Sequence, residues 1–220
     1  MAERLVIDPA AIDADTLARA ADTIVRGDVV AYPTETFYGL AADPRNADAI
    51  EKVFIAKGRR SEEPLPLIAS DIDTVQRWFG ALAPRAAQLA HRFWPGPLTL
   101  VLPLPLPSAP TPSPSLSLPS NLTAGRSNIA VRVPAHPLAR ALAQAAGGVI
   151  TSTSANLSGQ PPVSTADEVL RTIGPRIAIV VDGGPTPGGA PSTIVDVSDA
   201  QPRLVRAGSV PWERVLESLE

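Results

Sequence analysis

Residues 150–162 read ITSTSANLSGQPP. The apolar pair Val149–Ile150 runs straight into Thr151, Ser152, Thr153 and Ser154, followed by Ala155, Asn156, Leu157, Ser158, Gly159 and, after Gln160, two prolines. A strand that ends in small hydroxyls, an amide and a glycine offers many hydrogen-bond donors, little bulk and no charge. The reading of the rest of the chain turns on what this segment holds.

Working outward, the flanking sequence alternates between strand and helix patterns. Residues 13–26 place Leu17, Ala20, Ala21, Ile24 and Val25 on one helical face, with Asp13 or Asp15 as cap and Gly27 as stop. VVAYPT reads as a buried strand ending at Pro33, and ADAIEKVFIAKG as a helix with Ile50, Val53 and Phe54 inward, stopped by Gly58. PLPLIAS is a short strand. Residues 71–79 and 84–93 are helical, and PLTLVLP and SNIAVRVP are strands around the helix HPLARALAQAA. After the opening segment, STADEVLRTIG predicts a helix with Ser164 as N-cap and Asp167 at a capping-box-like position. RIAIVVDGG, TIVDVS and RLVRAG are strands, and PWERVLESLE is a terminal helix. The pattern predicts an α/β fold with a mixed parallel and antiparallel sheet, in one domain spanning residues 1–220. The run PLPLPSAPTPSPSLSLPS at 103–120 has seven prolines and five serines, and reads as an exposed loop inserted between two strands.

Composition narrows the function. The 220 residues are 45% apolar and contain no cysteine, which excludes disulfides, thiol catalysis and thiolate-bound zinc. No apolar run reaches the ~18 residues of a transmembrane helix, and the N-terminus lacks a secretory pattern, so a soluble cytoplasmic protein is expected. A net charge of −3 argues against a protein that coats nucleic acid. Of 19 basic residues only Lys52 and Lys57 are lysine. The two histidines, His91 and His136, are isolated and suggest no metal site contributed by the protein. Neither a phosphate-binding P-loop nor a nucleophile elbow occurs. The Gly-rich stretch 183–189 lacks a lysine and a following helix.

Two further stretches carry chemistry. In AKGRRSEEP, Lys57 and Arg59 flank Gly58 just past a helix end; an extended K-x-R sends both cations to one side, where they suit a polyanion such as a triphosphate. The same pair suits C-capping of the preceding helix, and these residues alone leave both readings open. In AYPTETFYGLAADP, Thr34 and Thr36 bracket a glutamate at a strand end.

Seven stretches in order, YPTETFYGL, KGRR…PLPL, WPGPLTLVL, AVRVPAHP, STSANLSG, STIVD and RAG, resemble the YrdC-like family of threonylcarbamoyl-AMP synthases across residues 15–210. The resemblance implies a YrdC-like twisted mixed sheet flanked by helices around a central concave cavity, in the single-domain form. It implies formation of threonylcarbamoyl-AMP and pyrophosphate from L-threonine, bicarbonate or CO2, and ATP with Mg²⁺. The product serves N6-threonylcarbamoyladenosine modification of tRNA, with downstream partner proteins and a weak tRNA contact as further expectations. By the same resemblance, Lys57, Arg59, Ser154 and Asn156 are the catalytic set; these, apart from Asn156, join Ser61, Asn128, Ser152 and Arg206 around ATP; and Thr34, Arg132 and Ser192 surround threonine.

The residues agree with that chemistry. Threonine's amine captures CO2 as a carbamate whose own carboxylate attacks the α-phosphorus, so no protein nucleophile is required. The site's task is to hold two anions together and neutralise the departing pyrophosphate. The chain departs from the family pattern at Arg60, Glu63 and Asn128 and in its proline-rich run. Two other functions are compatible with such a cavity: an RNA-binding or ribosome-assembly module, and a carbamoyl-transfer relative.

Overall fold

A computed structural model describes residues 1–59, 63–104, 118–199 and 201–220. Its elements in chain order are β1 (Glu3–Val6), α1 (Ala14–Val25), β2 (Val30–Pro33), β3 (Tyr38–Ala41), α2 (Ala47–Lys57), β4 (Leu67–Ala69), α3 (Ile72–Phe79), α4 (Pro84–Phe93), β5 (Leu98–Pro103), α5 (Ser120–Thr123), β6 (Asn128–Arg132), α6 (Pro137–Ala145), β7 (Val149–Thr151), β8 (Thr153–Ser154), α7 (Ala166–Thr172), β9 (Ile179–Asp182), β10 (Thr193–Asp196), β11 (Arg203–Arg206) and α8 (Trp212–Glu217). The strands divide between two mixed sheets, one ordered β1-β9-β2-β3-β8 and the other β11-β10-β5-β6-β4-β7. In the first, β9 runs parallel to β1 and β2, while β3 is antiparallel to β2 and β8. In the second, β10 and β5 are parallel, as are β4 and β6, and the other three pairings are antiparallel.

Two cores follow from this division. The larger includes Leu40, Phe54, Leu67, Leu100 and Val131, and so joins strands of both sheets to α2. The smaller packs α1 and α6 through Ala20, Ile24, Leu138 and Leu142 against Val30, Tyr32 and Val181. Among the described residues no helix is long and apolar enough to cross a membrane.

The opening segment is the seam. β7 is an edge of one sheet, and after the single residue Ser152 the chain becomes β8, an edge of the other. Thr151 is fully buried at the crossing: its Oγ1 donates to Leu40 O at 2.9 Å and accepts from Ala42 N at 2.9 Å, and its own N–H donates to Ala42 O at 3.1 Å. Ser152 N donates to Pro66 O at 2.7 Å, and Tyr32 Oη to Thr151 O at 3.2 Å. A larger or apolar residue at 151 would leave these strand-end groups without partners, which explains the hydroxyl inside a buried strand.

Several local expectations need correcting. Val25 lies 52% exposed, and Thr23 takes its place inside; at about 100° per residue, the stripe centred on Ala20 and Ile24 passes through 23 and misses 25. The cap of α7 is Thr165, not Ser164, and its capping-box partner is Glu168, not Asp167. Glu168 reaches back to the N–H groups of both Ser164 and Thr165, at 2.9 and 3.0 Å. Strands β1 and β3, both short, carry no isolated strand pattern and form because neighbours supply their ladders. Residues 105–117 of the proline-rich run lie outside the described residues.

Candidate active site

Residues of both sheets line a cavity of about 880 Å³, within the ~300–1,000 Å³ usual for small-molecule sites. Lys57 enters it from the last turn of α2. The helix ends at Gly58, whose φ of 62° is left-handed, with Gly58 N donating to Ile55 O and Arg59 N to Phe54 O. Such a glycine cap satisfies the last carbonyls and turns the chain sharply. Lys57 and Arg59 therefore both line the cavity because of a capped turn, not because K-x-R is extended, as the sequence reading expected. The capping reading falls to Gly58 and not to the cations: Gly58 ends the helix, whereas Lys57 Nζ bonds to Ser154 O and Asn156 O and Arg59 pairs with Glu63.

The cationic and hydroxyl-rich segments meet. Lys57 Nζ donates to Ser154 O at 2.5 Å and to Asn156 O at 3.1 Å, with Ser154 Oγ at 3.5 Å. Ser158 N donates to Lys57 O at 2.8 Å, closing the junction from the other side. Lys57 is 4% exposed. Burial, followed by the charge of Arg59, draws its ammonium down to about 8. Asn156 is likewise buried; its amide nitrogen donates to Leu157 O and Gln160 O, while Oδ1 is buried without a partner.

Arg132 and Arg206 complete the positive lining. Arg132 is buried at the end of β6 and pairs with the carboxylate of Glu35, whose other oxygen is buried and unpartnered. Arg206 belongs to the outer strand β11, and its guanidinium folds over Ser192. Nη2 donates to Ser192 O at 2.8 Å and to Ser192 Oγ at 3.1 Å. Burial and then the nearby Arg132 lower its pKa below the ordinary guanidinium value. Ser192 Oγ also accepts from Thr99 Oγ1 at 2.9 Å. Thr34 closes a tight turn, its Oγ1 donating to Phe37 O at 2.8 Å and accepting from Thr36 N at 3.2 Å.

The cavity lining thus brings together Thr34, Lys57, Arg59, Arg132, Ser152, Ser154, Asn156, Ser192 and Arg206. Asn128 is not among the lining residues: it begins β6, and Arg132 at the other end of that strand points into the cavity. Ser61 lies outside the described residues. Sequence reasoning assigned no role to Glu35, Glu63 or Thr99. Glu35 was visible as a charge between two threonines next to a buried strand, and Thr99 as the one hydroxyl within an apolar strand. Glu63 stood out only as a departure from the family pattern. The residues expected around ATP and around threonine touch each other through Arg206 and Ser192, so the two groups form one site.

These features define a class: an α/β protein whose two mixed sheets are stitched at a hydroxyl-rich crossing, with a cavity lined by four basic side chains. A family model described as "Telomere recombination" for Sua5, YciO and YrdC proteins matches residues 22–208, and the chain belongs to that family. It is 41% identical over 210 residues to the threonylcarbamoyl-AMP synthase of Bacillus subtilis (strain 168), covering 96% of this chain and 58% of that protein. To the threonylcarbamoyl-AMP synthase of Thiobacillus denitrificans (strain ATCC 25259 / T1) it is 42% identical over 182 residues, covering 83% of this chain and 90% of that one. The crystal structure of P. abyssi Sua5 complexed with L-threonine superposes with a TM-score of 0.87 at 33% identity, covering all of this chain and 61% of that one. The chain therefore spans about three-fifths of the longer relatives it matches.

Proposed function

We propose that the cavity joins L-threonine, CO2 or bicarbonate, and ATP into threonylcarbamoyl-AMP with release of pyrophosphate, and that the product supplies N6-threonylcarbamoyladenosine modification of tRNA. The observation that carries this reading is the charge of the cavity. Lys57, Arg59, Arg132 and Arg206 converge there, in a chain of net charge −3. Two of them sit below their ordinary pKa, Lys57 through burial and then Arg59, Arg206 through burial and then Arg132. Crowded, desolvated cations are unfavourable unless an anion joins them. The name of the Thiobacillus relative, and the threonine in the P. abyssi structure, support the choice of substrates.

The chemistry asks for little covalent help. The threonine nitrogen bonds to the carbon of CO2 and loses a proton, giving a carbamate. A carbamate oxygen then bonds to the α-phosphorus while the bond from that phosphorus to the bridging oxygen breaks, and pyrophosphate leaves. The lining residues fit those demands. Lys57 and Arg59 face negative charge beside the Ser152–Asn156 crossing, whose small side chains allow close approach of phosphate and carbamate oxygens. The Arg132 guanidinium, held by Glu35, suits a carboxylate. Mg²⁺ would arrive on the phosphates of ATP and supply neutralisation of part of their charge. Soluble localisation and hand-over to partner proteins belong to the same proposal.

The test is pyrophosphate release by the purified protein with ATP, threonine and bicarbonate, with the adenylate detected by mass spectrometry. Release must require all three substrates. Release that is independent of threonine, or ATP cleavage without a threonylcarbamoyl adduct, overturns the assignment.

A further inference from the structure

We propose that Glu63 is a built-in competitor for the nucleotide phosphates: its carboxylate occupies the Arg59 guanidinium until the ligand displaces it. This inference rests on the nucleotide reading of the cavity.

Among the described residues that line the cavity, Glu63 is the one carboxylate, set among four cations. It pairs with Arg59 Nη2 across four residues. The other acid nearby behaves differently. Glu35 is largely buried against a buried Arg132, with side-chain exposures of 16% and 7%, so it is a permanent part of the wall. Glu63 has a side-chain exposure of 71%, against 19% for Arg59. The Arg59 backbone is tied down at the Gly58 cap through Arg59 N to Phe54 O and its side chain is the more buried of the pair, while the carboxylate can turn into water without a desolvation penalty. An exposed, singly charged acid holds a guanidinium weakly, and a polyphosphate with several charges and geometry for bidentate contact displaces it. Displacement still subtracts the pair's free energy from the binding of nucleotide. The contact thus sets affinity and shields a crowded cation while the site is empty.

The experiment measures ATP affinity, in the presence of Mg²⁺, by calorimetry for wild type, Glu63→Gln and Glu63→Lys at low and high salt. The expected order of affinity is wild type, then Gln, then Lys, with the Gln variant about threefold to fivefold tighter than wild type at low salt and the gap narrowing at high salt. In an Arg59→Met background the Glu63→Gln gain should vanish. Equal or weaker binding by Glu63→Gln overturns the inference, weaker binding meaning that the carboxylate orients Arg59 or serves the metal. A gain that persists without Arg59 overturns it too. If wild type and all variants fail to bind ATP, the nucleotide reading itself falls, a result distinct from binding that is indifferent to position 63.

Discussion

Replacing Lys57 by methionine separates what its charge does for chemistry from what it does for the fold. Methionine keeps most of the buried stem and removes the ammonium. On the proposed chemistry, turnover falls by about 10²-fold or more, the scale of losing one preorganised electrostatic contact. The effect on stability has a definite sign and a pH window. Burial and Arg59 bring the folded-state pKa from its ordinary 10.5 to about 8. Below pH 8 both folded and unfolded chains carry the proton, and the folded state bears the full cost of the buried charge. Between about 8 and 10.5 the native protein releases the proton first, the unfolded chain holds more protons, and stability rises with pH. At about 1.4 kcal/mol per pH unit the whole relief amounts to roughly 3 kcal/mol.

At neutral pH that cost is offset by the bonds from Nζ to the carbonyls of Ser154 and Asn156, each worth about 1.5–3 kcal/mol when the donor is charged. Together the bonds supply about 3–6 kcal/mol against a cost of roughly 3 kcal/mol, so the methionine variant should lie between parity with wild type and about 3 kcal/mol less stable at pH 7. Urea unfolding of both proteins from neutral pH to above pH 10 reads the difference, in which the titration of every other group cancels. Wild type should gain on the variant by roughly 3 kcal/mol across that range. A constant gap would show that Lys57 is not a buried cation. Pyrophosphate release within about tenfold of wild type would remove its charge from the mechanism.

Two other substitutions probe the walls. Arg132→Met leaves the Glu35 carboxylate buried without its partner and should destabilise the fold by about 3 kcal/mol or more; adding Glu35→Gln should restore part of the melting temperature but not the activity. Gly208→Ala places a Cβ 2.2 Å from Pro191 O and 2.5 Å from the carbonyl carbon of Ser192. It should cost about 1–3 kcal/mol by forcing the backbone apart and weaken ATP binding through the displaced Ser192–Arg206 contact, both measurable by thermal melting and calorimetry.

The long, periodic elements were legible in the sequence because their signal is local. Ile50, Val53 and Phe54 point inward from α2, and Gly58 ends it. The division into two sheets was not legible, since it depends on which edges β7 and β8 join. That choice is made by Thr151, whose three bonds run to Leu40 and Ala42, more than a hundred residues away in sequence. The cap of α7 was misplaced by one residue because Ser164 and Thr165 are chemically equivalent candidates. Only the position of Glu168, three residues beyond Thr165, separates them. At the site, motif order identified nine residues that now line one cavity. The motifs could not show how those residues are neutralised before a ligand arrives, because Glu35 and Glu63 belong to the cavity by geometry alone.

That neutralisation sorts the four cations into two kinds. Arg132 and Arg59 face carboxylates, Glu35 and Glu63. Lys57 and Arg206 face only neutral oxygens, those of Ser154, Asn156 and Ser192. Among the described residues the lining carries these four cations and one carboxylate, Glu63, while Glu35 pairs with Arg132 from beside it. On the proposed function, ATP carrying one Mg²⁺ would bring roughly −2 to these cations. Threonine's carboxylate and the carbamate would add further negative charge, which disfavours a carboxylate beside Arg59. On the proposed reading the nucleotide phosphates displace Glu63 from Arg59, and the negative charge that threonine's carboxylate and the carbamate bring makes its return still less favourable. On this account Glu63→Gln should tighten ATP more strongly when threonine and bicarbonate are present than when ATP binds alone, and an identical gain under both conditions would refute it.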